Sequence, residues 1–143
     1  MNENTIGRSL RPVVLLIALV HLVLGVLGFF FLPEANQTGE NTVWIFSATG
    51  MLNIIRTIVG VLGVAAVLKP SAIYGYTWMI FIAFAGLTAF GVLSAATTSA
   101  GDTVNVNWAD NVLHALTSLA ALAVGIVVAR SAGRKPARRR ADA

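Results

Sequence analysis

The residues of this chain that could do chemistry are few, and they recur in one spacing. Asn53 and Arg56 stand three apart, Asn111 and His114 repeat that interval, and Asp110 directly precedes the second pair. Residues three apart share a helix face, so each pair sets an amide beside a cationic or titratable group. A guanidinium, an imidazole and a carboxylate brought together can close an ion pair, hold an anion or pass a proton. His21 is the other of the two histidines. Other chemistry lacks its reagents: there is no cysteine, and neither the nucleophile-elbow nor the zincin pattern occurs. Two histidines, with no carboxylate inside an apolar run, make no metal cage. The expectation is a protein that is not an enzyme and takes no metal or cofactor.

The elements that must position these residues are membrane spans. The chain of 143 residues is 57% hydrophobic and 11% charged, against about 25% charged in soluble domains. Apolar runs of about 20 residues cross a bilayer as helices. Four are expected, over about 13–32, 49–68, 71–94 and 110–129, forming one transmembrane domain over 13–129. A polar segment, 1–12, precedes it and a basic tail, 130–143, follows. The first run is too long for a signal-peptide core and no small-x-small cleavage site follows it, so it reads as an uncleaved helix. Lys69-Pro70 halts the second span. Trp44, Tyr74, Tyr76 and Trp108 suit the membrane–water interface.

Charge sets the orientation. Arg8, Arg11, Lys69 and the tail arginines flank one side of the spans, and Glu34, Glu40, Asp102 and Asp110 the other. The positive-inside rule then places both termini in the cytoplasm. The fold class expected is all-α, a polytopic four-helix transmembrane bundle, up-down-up-down. The tail, lacking aromatic interleaving, points to anionic lipid and not to nucleic acid.

Asn53-x-x-Arg56-x-x-x-Gly60 resembles Asn111-x-x-His114-x-x-x-Ser118 at a separation of 58 positions (53 to 111). The same offset sets Leu10-Arg11-Pro12 on Leu68-Lys69-Pro70 and Gly28 on Gly86. Two similar two-helix halves, related by an axis along the membrane normal, would produce this. Gly25, Gly28, Gly60 and Gly63, with Ser118, are expected to let helix backbones approach.

Counting about 1.5 Å per residue from the outer ends puts His114 at about 6 Å depth, Arg56 at about 10 Å and His21 at about 16 Å. Arg56 is long enough to join Asn53, Asp110, Asn111 and His114 in one outer-half cluster, whereas His21 lies too deep to share a haem with His114. Two readings of the cluster stay open. Arg56 can reach outward to Asp110 or Asp102 and clamp the spans, or the cluster can be a site for an anion, a proton or a lipid head group.

The string Asn107-x-Ala109-Asp110-Asn111-x-Leu113-His114 resembles a family of small four-helix bacterial membrane proteins classed as domain of unknown function 4383. Asn53-x-x-Arg56-x-x-x-Gly60-x-x-Gly63 supports the resemblance, with Arg56 where the family has His and Ser118 where it has Gly. The resemblance implies four spans in a bacterial inner membrane and no established activity. The function expected is that of a structural or accessory protein of the cell membrane, with a membrane-protein partner or a homo-oligomer. The alternative is a small oligomeric transporter or channel-like protein.

Overall fold

The computed structural model describes residues 3–30, 42–97 and 106–132. Helix α1 runs Glu3–Phe30, α2 Gly50–Leu68, α3 Ile73–Thr97 and α4 Trp108–Ala132, with a 3₁₀ turn at Pro70–Ala72 between α2 and α3. Four stretches are long and apolar enough to cross a membrane: Arg8–Phe30, Gly50–Leu68, Pro70–Ser94, which takes in the 3₁₀ turn, and Trp108–Ser131. The first starts earlier than expected, because α1 continues through Pro12. Proline removes one helical hydrogen bond, here the one to the carbonyl of Arg8, whose turn is exposed and can be satisfied by water. The 133–143 segment, with most of the basic tail, lies outside the described residues, as do Glu34, Glu40 and Asp102.

The surface is inside-out relative to a soluble bundle. Leu16, Ile58, Ile82, Leu93, Leu116 and Leu119 are exposed, whereas His21, Asn53, Arg56, Asp110 and His114 are fully buried. Water would reverse that distribution; hydrocarbon permits it, because lipid tails are as apolar as leucine. The apolar core beneath the polar residues holds Val14, Val59, Ala66, Ile80, Phe84, Ala121 and Val124.

The helices pack chiefly as two pairs. In the first, Gly25 faces the Asn53–Thr57 turn, Gly60 faces Leu22, and Gly63 lies beside Ala18 and the Tyr76 ring. Residue numbers thus fall along α1 as they rise along α2, so the two run antiparallel. In the second, Gly91 faces Asn111, His114 meets Phe84, Ser118 bonds to Phe81, and Gly125 meets Trp78. This pair, α3 and α4, is antiparallel too.

The two pairs repeat each other. The buried face of α2, Leu52, Asn53, Arg56, Val59, Gly60, Gly63 and Ala66, coincides at 58 positions with Asp110, Asn111, His114, Thr117, Ser118, Ala121 and Val124, all buried on α4. The first helices of the pairs match at a different offset, 63 positions (28 to 91): Ile17 falls on Ile80, His21 on Phe84 and Gly28 on Gly91, all six buried. The expected match of Gly28 with Gly86 is therefore corrected, for Gly86 faces open space. A single offset fails because the first pair spends 25 positions (28 to 53) between its glycine and its asparagine, and the second only 20 (91 to 111).

One element breaks the all-helical pattern. Strands Thr42–Val43 (β1) and Phe46–Ser47 (β2) form an antiparallel hairpin. Trp44 turns it with φ of 58°, the left-handed backbone that two-residue hairpin turns require.

Candidate functional site

The site grows from the start of α4. Asn107 caps that helix: its side-chain oxygen accepts from the Asp110 amide at 2.9 Å, and its own amide donates to Asp110 Oδ2 at 3.1 Å. This reciprocal pattern is a capping box, with Asp in place of the usual Glu or Gln. It fixes the Asp110 carboxylate at the helix N-terminus, where backbone N–H groups favour negative charge. The remaining amide hydrogens of Asn107 reach across to the hairpin, donating to the Ile45 carbonyl at 2.9 Å.

Asp110 then meets Arg56, which rises from the buried face of α2. The two form an ion pair through Arg56 Nη2 and Asp110 Oδ1, with both side chains at 0% exposure. Hairpin residue Ser47 closes the circuit, its carbonyl accepting from Arg56 Nη1 at 2.7 Å and its amide donating to Asp110 Oδ2 at 3.1 Å. Phe46 covers the guanidinium, its ring centroid 5.9 Å from Arg56 Cζ. Guanidinium, carboxylate and hairpin backbone thus lock α2, α4 and the 42–47 segment together. Of the two partners expected for Arg56, the ion pair is with Asp110; Asp102 lies outside the described residues.

Below the lock, side chains from α1, α3 and α4 meet in one layer. The His21 ring stands edge-on to Phe84 at 4.7 Å between centroids, and Phe84 stands edge-on to His114 at 5.1 Å. Arg56 is within electrostatic reach of both histidines. Both histidine rings thus stand against one phenylalanine, a meeting that depth counted along each helix did not anticipate. Counting from helix ends assumes that all ends share one plane and that no helix tilts, whereas α4 begins two residues earlier than expected, at Trp108. His21 Nδ1 lies 2.9 Å from the Ile17 carbonyl; a carbonyl only accepts, so Nδ1 carries the hydrogen and Nε2 of the neutral ring holds a free lone pair. His21 Nε2, both nitrogens of His114 and Arg56 Nε make no hydrogen bond.

The two asparagines sit apart from that layer, one in each seam. Asn53 lies against Gly28 of α1 and Asn111 against Gly91 of α3, and neither side-chain amide makes a hydrogen bond. A methyl group at either glycine would overlap the amide, so the glycines make room for it. Of the other small residues expected in the packing, Gly25, Gly60 and Gly63 all lie in close helix–helix contact. Ser118 does more than leave space, donating to the Phe81 carbonyl of α3 at 3.0 Å. Among the described residues, no three of His, Cys, Asp or Glu gather as a metal set would.

Sequence reasoning named Asn53, Arg56, Asp110, Asn111 and His114 but passed over Ser47, Phe84 and Gly91. The last two carry a legible signal, the 63-position match with His21 and Gly28. Ser47 acts through its backbone and leaves none. The capping box can be checked directly. Asn107→Ala should cost about 1 kcal/mol, the usual loss of an N-cap, and should raise amide hydrogen exchange at Asp110 and Ser47 before the rest of α4. Uniform exchange across α4 would contradict the cap's local role.

The family model described as Domain of unknown function (DUF4383) matches residues 11–127. No curated protein and no solved structure matches the chain. The matched range runs from the early turns of α1 through the lock and the polar layer to the last turns of α4, and the chain belongs to the DUF4383 family of unknown function.

Proposed function

We propose that this is a non-enzymatic structural or accessory protein of the bacterial cytoplasmic membrane, whose ion pair fastens an outer hairpin to the bundle. The spans run up-down-up-down with both termini in the cytoplasm, as the basic residues Arg8, Arg11, Lys69 and Arg130 on one side imply. The basic tail meets anionic lipid, and the fastened outer end is the face offered to a membrane-protein partner or a second copy. One observation carries this reading: both oxygens of Asp110 and both terminal nitrogens of Arg56 are engaged by groups of the chain itself. A pair whose charges face each other and whose terminal atoms are all engaged is poor at capturing a ligand and good at holding three segments.

A second reading, a small oligomeric transporter or channel-like protein, is favoured by the unpartnered nitrogens of His21, His114 and Arg56. Buried polar atoms without partners are costly, and ionisable groups within a membrane commonly mark a pathway. The double variant Arg56→Met/Asp110→Asn separates the two. Uncharged replacements of similar volume often leave a buried pair's stability unchanged, and the carboxamide that replaces the Asp110 carboxylate would retain an acceptor for the Ser47 and Asn107 amides. The structural reading expects the double variant to melt close to wild type and to keep the native mass of the gently extracted protein. A folded double variant that loses a co-purifying small molecule, or a solute flux into proteoliposomes, would establish the transporter instead.

A further inference from the structure

The seam between the two helix pairs differs from the seams within them. Where α2 leaves α3, a side groove of about 340 Å³ opens near the Lys69-Pro70 turn. Leu62 and Ala65 form one wall, Gly75 and Met79 the other, and Ala72 and Lys69 the end. Small residues carve it: Ala65, Ala72 and Gly75 place nothing beyond a methyl group where neighbouring turns carry larger side chains. A Cβ built on Gly75 would have nothing within 4 Å.

What fills such a groove follows from its walls and its surroundings. Water needs two or more polar partners to occupy a cavity, and these walls are almost wholly hydrocarbon. An apolar cavity of about 150 Å³ already accepts benzene, so this one has room for a length of alkyl chain. In a chain built of four membrane-spanning helices, the alkyl group at hand is a lipid tail. Charge then selects the lipid. Lys69 is exposed at the groove's end, and the one ion pair among the described residues is Arg56–Asp110, far along α2 from it. An ammonium at a span's end attracts acidic head groups.

We propose that the α2–α3 groove is a binding site for one anionic phospholipid, its acyl chain against Ala65, Gly75 and Met79 and its head group at Lys69. This site is distinct from the lock and the polar layer, and from the diffuse attraction of the basic tail. It stands whichever reading of those is right.

The test uses the full-length protein in nanodiscs of equimolar phosphatidylglycerol and phosphatidylcholine, released into the mass spectrometer under native conditions. Wild type should retain one phospholipid, with phosphatidylglycerol preferred about fivefold, the effect of about 1 kcal/mol from one lysine near the surface. Lys69→Gln should retain the lipid and lose the preference. Gly75→Leu fills the groove from a position where an added Cβ has nothing within 4 Å, so it should melt like wild type and retain no lipid. Met79→Trp, at a residue already exposed, repeats that test independently. Equal retention by wild type and both groove-filled variants would overturn the site. So would a lipid-free dimer of the wild type, which would give the groove to a second copy. An unchanged preference in Lys69→Gln would overturn the role of the charge.

Discussion

Asp110→Ala is expected to lower the unfolding free energy by about 3–5 kcal/mol, the loss typical when one partner of a buried pair is removed. The substitution strands the Arg56 guanidinium at 0% exposure in a helix interior bounded by lipid. It also takes away the acceptor of the Ser47 and Asn107 amides, so the capping box and the hairpin tether each lose a bond together. Arg56→Met should cost less than Asp110→Ala. The carboxylate it leaves behind still accepts two backbone N–H groups and sits at the N-terminus of α4, where the helix dipole favours it. Reversible unfolding in mixed micelles would measure both variants. A cost below about 1 kcal/mol for Asp110→Ala, the range of exposed pairs, would mean that the pair is not closed in the folded protein.

That asymmetry was only half legible in the sequence. Four spans follow from apolar runs and their breaks, because burying backbone in hydrocarbon leaves few alternatives to a helix. Asn53, Arg56, Asn111 and His114 were visible because their spacing repeats and because charge is scarce inside a span. The partner of Arg56 was narrowed to two carboxylates by reach alone. What the sequence did not disclose is the third party, Ser47, since its amide and carbonyl act and every residue has both. The meeting of His21 with His114 across Phe84 was hidden for a related reason. Depth counted along each helix ignores tilt, and the residue that joins the two rings is an ordinary phenylalanine until the two helix pairs are superposed.

The superposition also explains why the two pairs are not interchangeable, and the largest packing effect should arise there. Gly60 and Ser118 occupy corresponding places on α2 and α4. A Cβ at Gly60 would stand 2.5 Å from Leu22 Cβ, 2.6 Å from its Cα and 2.7 Å from its backbone nitrogen. The last two are backbone atoms of α1, so no rotamer change relieves the overlap and the helices must part. Ser118 already carries a side chain in its own seam, which uses it to reach the Phe81 carbonyl at 3.0 Å. Gly60→Ser should therefore cost about 3 kcal/mol or more, at or beyond the upper end of ordinary overpacking, because only a parting of the two helices relieves an overlap with backbone. Ser118→Gly, the reverse exchange, should cost only about 1 kcal/mol, from one interhelical hydrogen bond of about 0.6 kcal/mol and the lower helix propensity of glycine. The same unfolding assay reads both. Equal costs would show the two seams to be equally close, and the tighter approach of α1 and α2 at Gly60 would have to be abandoned.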